Sequence, residues 1–440
     1  MQRIQAVGRP SDDREDTLAL LYESGNGGRG DTVAKRALRA MRRHLDLQVA
    51  YVSEFVGDMA VYREVDAPGL EHLIKPGDER SLDEVYCRHI LAGRLPELIP
   101  DTARFPLAAA MPITAAIPIG AHISVPLMMP DGETYGMFCC LGPEADESLN
   151  PRDLAMMKSF AELTAFEIAR ERQSSRKLEA THARIRAVIA DEQFAMAFQP
   201  IWSLAADRPI GFEALSRFAP EPVRSPDVWF AEAEAAGLGN DLELAAIHRA
   251  LNDSHALPAH AYIALNASPA TVAAGNLGDI VARARGRQIV LEITEHAHIE
   301  DYASFAEALA PLRAQGVRLA IDDAGAGYSS LRHILQLTPD LIKLDRALVA
   351  GIGLDRSRRA MVAALLAFAR ETAADIVAEG VETASELAML RSLGIDLLQG
   401  YHLGRPVSGA ETFLKFGDRD PAGGARASDR AARLNKRDAA

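Results

Sequence analysis

The chain has 440 residues, which is more than one hydrophobic core usually serves, so we expect two domains. Its composition, 48% hydrophobic and 25% charged, is that of an ordinary soluble globular protein. The formal net charge of −13 argues against the classes that bind nucleic acid or anionic membranes non-specifically, because those proteins need a basic surface.

The N-terminal third predicts a mixed α and β domain. Residues 1–28 are polar and end in a glycine-rich run, which predicts a disordered N-terminus without a secretion signal. An amphipathic helix at 32–45 precedes strand-like runs at 49–55 and 59–65. Two further runs, 122–129 and 134–142, flank a second turn. This order resembles a GAF domain over residues 29–170 and implies a sensory role. The nucleotide-binding signature of that family is absent, so no ligand is implied.

One uncharged stretch, residues 105–130, is long enough to cross a bilayer. Four prolines would interrupt such a helix: Pro106, Pro112, Pro118 and Pro126. We therefore predict buried strands and loops there, and no membrane partner.

The three cysteines, Cys87, Cys139 and Cys140, have neither metal-ligand spacing nor the pattern of a disulfide framework. We interpret them as small core residues of a cytoplasmic protein. A redox or chromophore role for Cys87 is the alternative, which no neighbouring residue favours.

A long helix is predicted from residue 151 toward 189, with residues 171–190 as a helical linker. Steps of four and three along it connect a heptad series: Met157, Ala161, Thr164, Ile168, Glu171, Ser175, Leu178, His182, Ile185 and Ile189. The spacing fits a dimeric coiled coil. A single amphipathic helix packed on its own domain explains it equally well.

Residues 191–415 alternate strand-like and helical runs, which predicts an α/β domain of the TIM-type (β/α)8 barrel class. The eight strand candidates are 194–202, 210–218, 261–268, 288–295, 317–325, 340–346, 375–382 and 397–404. Only residues 203–209 separate the first two candidates, too few for a parallel crossover, so we predict an antiparallel first strand. Residues 416–440 are predicted to form a flexible tail.

Acidic or amide side chains recur near the ends of these predicted strands: Glu213, Asn266, Glu292, Asp322, Asp323 and Glu379. A buried acid is costly unless it is paired or binds a metal, and TIM-barrel chemistry gathers at the carboxyl ends of strands. Oxygen donors without a suitable Cys or His set favour Mg²⁺ or Mn²⁺. The adjacent Asp322 and Asp323 suit two ions about 3.5–4 Å apart. Lys343 and Gln399 are expected to join them.

The same residues carry a resemblance to the EAL-domain phosphodiesterases, which hydrolyse cyclic di-GMP to a linear dinucleotide. Their ordered motifs are Gln199-Pro200-Ile201, Glu213-Ala214-Leu215, Asn266, Glu292 with Glu295, Asp322-Asp323-x-Gly325, Lys343-x-Asp345, Glu379-Gly380-Val381-Glu382 and Gln399-Gly400-Tyr401. The resemblance implies a metal-dependent hydrolase with cyclic di-GMP as its small-molecule partner.

By that resemblance, Glu213, Asn266, Glu292 and Asp322 would hold the first ion. Asp322, Asp323 and, directly or through water, Glu379 would hold the second. The implied catalytic residues are Glu213, Lys343 and Glu379, with Lys343 acting on the attacking water. The implied substrate contacts are Gln199, Leu215, Arg217 and Gln399. Glu295 and Glu382 would hold a loop and a metal ligand in place, or would only make structural ion pairs.

One departure from the family is Ala324, where a phenylalanine usually follows the aspartate pair. We expect the loop from Gly325 to Leu331 to pack less well as a result. An inactive cyclic di-GMP receptor is therefore the alternative function, and a protein-interaction scaffold the third. We also expect a homodimer through the barrel and the linker, and regulation of the barrel by the N-terminal domain.

Overall fold

The computed structural model describes residues 32–220, 223–282, 284, 286–294, 299–325 and 328–416, with residues 328–330 described by their backbone alone. Residue contacts divide the chain into two compact units, Met1–Lys177 and Leu178–Ala440. The predicted disordered N-terminus and residues 417–440 of the predicted tail lie outside the described residues. The domain boundaries given by the sequence stay predictions.

The N-terminal unit is built on a six-stranded antiparallel sheet in the order β3-β2-β1-β6-β5-β4. Its strands are β1 Val49–Val56, β2 Met59–Asp66, β3 Glu79–Ser81, β4 Leu98–Ile99, β5 Ala121–Met128 and β6 Thr134–Gly142. Its helices are α1 Val33–His44, α2 Tyr86–Leu91, α3 Pro106–Ala109, α4 Pro112–Ala116 and the first part of α5 Pro151–Ala190. The predicted order of helix, hairpin, irregular middle, hairpin and helix is present.

Alternating side chains place a separate hydrophobic core on each face of this sheet. On β6, Phe138 and Cys140 join the core formed with α1 and α5, whereas Met137 and Cys139 join the core under residues 67–119. Cys87 is buried in the second core. Burial raises the pKa of both the Cys139 and Cys140 thiols, so these two cysteines act as packing residues.

The uncharged stretch 105–130 forms α3, α4 and β5 rather than strands and loops alone. Among the described residues, none of the helices combines the length and the apolar character needed to span a bilayer.

Helix α5 runs for 40 residues and crosses the boundary between the two units. Met157 and Ala161 of the predicted heptad series are buried in a core of the N-terminal unit. Ile185 is buried in the barrel core. Glu171, Ser175 and Leu178 between them are exposed. The two ends of the series therefore pack within their own units, and the coiled-coil and single-helix interpretations both stay predictions for its exposed middle.

The second unit is a closed barrel, which confirms the predicted fold class. Its strands are β7 Phe194–Ser203, β8 Arg208–Phe218, β9 Tyr262–Asn266, β10 Ile289–Thr294, β11 Arg318–Ala324, β12 Leu341–Leu344, β13 Asp375–Ala378 and β14 Leu397–Leu398. Strands β8 to β14 are parallel in sequence order. β7 is antiparallel to both β8 and β14, as the short connection predicts, and closes the barrel.

A ninth strand that the sequence did not reveal, β15 Val407–Ser408, pairs with β7. The helices of this unit are α6 Pro226–Ala235, α7 Gly239–Asp253, α8 Pro269–Ala273, α9 Leu277–Ala282, α10 Tyr302–Ala314, α11 Tyr328–Leu337, α12 Arg346–Val349, α13 Arg356–Thr372, α14 Ala384–Leu393 and α15 Gly409–Phe416.

The barrel interior is filled by apolar side chains below the strand ends, including Ile201, Val290, Leu341 and Val377. Polar side chains therefore concentrate in the layer above, at the carboxyl ends of the parallel strands.

Candidate active site

The predicted acids meet at the carboxyl end of the barrel. Glu213 is 7% exposed, Glu292 1% and Asp322 8%, although each carries a carboxylate. Ligand oxygens of these three residues lie within 4.8 Å of one another. Oxygens of Asp322, Asp323 and Glu379 form a second group within the same limit. Asp322 belongs to both groups, so it is placed to bridge two neighbouring sites.

A bulge in β11 lets two successive aspartates serve one site. In a regular strand they would point to opposite faces. The register with β12 shifts between Ile321 and Ala324, and Asp323 adopts a left-handed conformation with φ of 53°. The backbone N–H of Asp323 donates to Asp322 Oδ1 at 3.0 Å. The local distortion therefore turns both carboxylates toward Glu379.

Lys343 lies at the centre of the acid cluster with 1% of its side chain exposed. Its Nζ is 2.7 Å from Glu379 Oε1, 2.9 Å from Glu292 Oε2, 3.1 Å from Asp322 Oδ1 and 3.6 Å from Glu213 Oε2. Burial alone would lower the pKa of this amine, but the four carboxylates outweigh it and raise the pKa above its ordinary value. Lys343 is therefore an ammonium group in this arrangement.

Crowding and burial disfavour ionisation of the acids. Burial raises the pKa of Glu379 to about 8 and that of Asp323 to about 6, with nearby carboxylates adding to both. Burial also raises the pKa of Glu292, against the opposing effect of Lys343. Without added positive charge, the site holds protons that exposed carboxylates would have lost at neutral pH.

Two glutamines connect Glu213 to the antiparallel first strand. Gln399 Nε2 donates to Glu213 Oε2 at 2.5 Å and to Gln199 Oε1 at 3.2 Å. Gln199 Nε2 in turn donates to the carbonyl oxygen of Gly404 at 3.3 Å. On the other side, Asn266 Nδ2 donates to Glu213 Oε1 at 3.3 Å. These bonds fix the orientation of the Glu213 carboxylate.

A cavity of about 670 Å³ opens beside the acid cluster. Seven of the predicted site residues line it: Glu213, Leu215, Arg217, Asn266, Glu292, Asp322 and Asp323. Arg217 is exposed there, and its Nη1 donates to the carbonyl oxygen of Ser216 at 2.8 Å. The other nitrogens of its guanidinium can face a ligand in the cavity.

The two predicted supporting acids differ from this group. Glu382 forms an ion pair with Arg346 at 2.9 Å, and no contact with the acid cluster is found for it within the described residues. Glu295 lies outside the described residues.

The structure adds residues that the sequence did not assign to the site. Asp345 is the N-cap residue of α12. It contributes to the raised pKa of Asp323 through its charge and a side-chain hydrogen bond. Pro226, Asp227, Phe230 and Glu234 of α6 also line the cavity. Their spacing of three and four residues after a proline was the available signal, since it places them on one helical face.

The donor set fits hard divalent cations. Five carboxylates and one ammonium leave a formal charge of −4 when all are ionised, which two divalent cations would balance. Carboxylate and amide oxygens are the ligands that Mg²⁺ and Mn²⁺ prefer. The arrangement therefore defines a barrel protein with a candidate two-cation centre beside an open cavity.

Comparison with models of known protein families identifies the family of this barrel protein. The EAL domain family model matches residues 182–406, about half of the chain, and the GAF domain family model matches residues 29–168. The chain belongs to the EAL domain family and carries a GAF domain ahead of the barrel. Both predicted resemblances are confirmed.

Curated relatives match this chain over the barrel region. Cyclic di-GMP phosphodiesterase NbdA of Pseudomonas aeruginosa is 32% identical over 245 residues, which cover 52% of this chain and 31% of NbdA. The bifunctional diguanylate cyclase/cyclic di-GMP phosphodiesterase MucR of the same organism is 38% identical over 158 residues, covering 34% and 23% respectively. The chain therefore spans less than a third of either relative.

Among solved structures, EAL enzyme Bd1971 in its form bound to cAMP and cyclic di-GMP aligns with a TM-score of 0.52. The alignment covers 84% of this chain and 93% of that one at 18% identity. This similarity is one of fold.

Proposed function

We propose that this protein hydrolyses cyclic di-GMP to the linear guanine dinucleotide in a reaction that depends on two divalent cations, Mg²⁺ or Mn²⁺. The observation that carries the proposal is the pair of overlapping carboxylate groups joined at Asp322 beside a cavity of about 670 Å³. The curated names of NbdA and MucR, both cyclic di-GMP phosphodiesterases, support the choice of substrate.

The ligands of the first ion would be Glu213, Asn266, Glu292 and Asp322. Those of the second would be Asp322, Asp323 and Glu379. Ions bound there supply Lewis acidity, which neutralises phosphate oxygens and lowers the pKa of a coordinated water. Hydrolysis then requires attack of water oxygen on phosphorus, cleavage of one bridging P–O bond, and transfer of a proton to the leaving ribose oxygen.

The protein side chains have separate tasks in this scheme. Lys343 Nζ holds its protons among the acids, so it can orient the attacking water and offset negative charge as the bond forms. The Gln199–Gln399 pair keeps the Glu213 carboxylate in one orientation. Arg217 and Leu215 contact the substrate from the cavity wall, with the Arg217 guanidinium suited to a phosphate oxygen.

The test is hydrolysis of cyclic di-GMP by the purified full chain, followed by separation of the linear product. We expect turnover with Mg²⁺ or Mn²⁺, none after chelation, and a loss of at least about 100-fold in kcat for Glu213→Gln. Exposed Glu307→Gln on α10 is the matched control and should keep full activity.

The outcomes separate the three functions. Tight binding of cyclic di-GMP without product would favour the receptor alternative, for which Ala324 is the sequence support. Neither binding nor product would leave the barrel as a protein-interaction scaffold. We further propose that the GAF domain regulates turnover through helix α5 and that the protein forms a homodimer.

A further inference from the structure

Helix α6 presents an acid–aromatic–acid face to the cavity. Asp227, Phe230 and Glu234 are spaced by three and four residues and all line the cavity. Trp229 and Ala233, on the adjoining face of the same helix, are buried in the barrel core. The face toward the cavity is therefore fixed by the packing beside it.

The buried side of α6 is held firmly. Trp229 stacks on Phe218 with ring centroids 5.2 Å apart, and the Arg224 guanidinium lies 5.3 Å from the Trp229 ring. Glu232 pairs with Arg184 at 2.6 Å and with Arg224 at 2.7 Å. Phe230 packs edge-on against Phe218 at 5.8 Å. The Phe230 ring is thus positioned before any ligand enters.

Apart from the acid cluster, three acids line the cavity: Asp227, Glu234 and Glu243. They are unexpected because the proposed substrate is an anion, and two of them have structural partners. Glu243 accepts hydrogen bonds from the backbone N–H and the hydroxyl of Ser268, at 2.8 and 2.9 Å. Glu234 lies over Gly239, the first residue of α7, where a helix N-terminus favours a negative charge. Asp227 has neither a hydrogen bond nor an ion pair among the described residues.

We propose that α6 is the base-recognition element of the site and that Asp227 sets its preference for guanine. The inference rests on the proposed function. Phe230 stacks on one base, and the Asp227 carboxylate accepts hydrogen bonds from the N1–H and the 2-amino group of guanine. Adenine offers an acceptor at N1 instead, which a carboxylate repels. A free carboxylate is therefore a discriminating group here rather than an obstacle.

The competing interpretation is that Asp227 only stabilises the first turn of α6 through the helix dipole. That role would change stability and would affect every ligand alike. A purely structural role would therefore leave the ratio of the affinities for cyclic di-GMP and cyclic di-AMP unchanged.

The experiment measures kcat and KM for cyclic di-GMP with Mn²⁺, and the inhibition constant of cyclic di-AMP as competitor, for the full chain. We expect Asp227→Asn to raise KM for cyclic di-GMP by about 10-fold or more, to change kcat less than about threefold, and to leave the cyclic di-AMP constant equal or lower. Phe230→Ala should weaken both ligands by about 5- to 100-fold, and Phe230→Leu by less.

Asp241→Asn is the matched control, because Asp241 is exposed on α7 and does not line the cavity. If the wild type turns over cyclic di-GMP and Asp227→Asn behaves like Asp241→Asn, this inference is overturned and the proposed function stands. A wild type that neither binds nor hydrolyses cyclic di-GMP overturns both.

Discussion

Asp323 combines a functional side chain with an uncommon backbone conformation. Its φ of 53° lies in the left-handed region, which costs most residues about 1–2 kcal/mol and which glycine, asparagine and aspartate tolerate better. The structure keeps this conformation because it directs a second carboxylate toward Glu379. Strain of this kind is found at functional sites when the surrounding structure enforces it.

Substitutions at Asp323 should separate the backbone from the carboxylate. We expect Asp323→Asn to retain the fold and to lose at least about 100-fold in kcat, because the bulge tolerates Asn but one charged ligand is gone. Asp323→Ala should lose similar activity and a further roughly 1 kcal/mol of unfolding free energy. Enzyme assays with urea unfolding compare the two. Equal stability of both variants would contradict the strain argument.

Sequence reasoning located the acids but not their arrangement. A carboxylate at the end of an apolar strand is visible in the sequence because burial of an unpaired charge is costly. Glu213, Glu292 and Asp322 could be predicted in this way. The bulge at Asp322–Asp323 could not, because alternation predicts opposite directions for the two side chains. The ion-pair partner of Glu382, Arg346, was also invisible, since the two residues are 36 positions apart.

At the level of elements, the sequence pattern predicted the strands whose apolar side chains pack in the barrel core. All eight barrel strands were predicted because each is a β-rich apolar run bounded by polar turns. β15 was missed because Val407 and Ser408 lie between Pro406 and Gly409, without the longer apolar run that marks β14. The face of α6 toward the cavity was missed because only the closed barrel shows which side of that helix is solvent and which is ligand space.

Helix α5 is the element through which a signal from the GAF domain would reach the barrel. Its ends pack into separate cores, and its middle around Ser175 is exposed. A proline at 175 should therefore break the helix while leaving both cores intact. We expect Ser175→Pro to change the turnover of cyclic di-GMP by at least about twofold, with Ser175→Ala unchanged.

The turnover assay is read together with calorimetry of both variants, because unchanged core packing predicts unchanged unfolding transitions. If Ser175→Pro and Ser175→Ala have the same turnover, regulation through a continuous α5 is wrong.

At the level of the whole molecule, buried ionisable groups in the two units contribute to stability with opposite dependence on pH. His122 in the N-terminal unit is 2% exposed, and burial lowers its pKa to about 3. Below its unfolded value near 6.5 the unfolded chain binds a proton that the folded unit excludes, so stability falls as pH falls. In the barrel, raised carboxylate pKa values act the other way.

Glu379 shows in which direction the stability of the barrel changes with pH. Its pKa is about 8 in the folded chain, against 4.5 for an exposed glutamate. Between these values the folded unit keeps a proton that the unfolded chain has lost, so the contribution to stability is complete below about pH 4.5 and declines as pH rises through 8. The pKa of Asp323 is about 6, so its contribution to stability declines at a lower pH than that of Glu379 as the pH rises.

Calorimetry of the chelated full chain at pH 5, 7 and 9 should therefore show two transitions that move oppositely. The N-terminal transition should lie lowest at pH 5, and the barrel transition lowest at pH 9. Mg²⁺ should raise only the barrel transition, and more at pH 9 than at pH 5, because ionised carboxylates bind the cation and protonated ones do not. Glu379→Gln should flatten the barrel response, and His122→Gln that of the N-terminal unit. A Mg²⁺ effect that is larger at pH 5 would contradict the assignment of protons and cations to the same carboxylates.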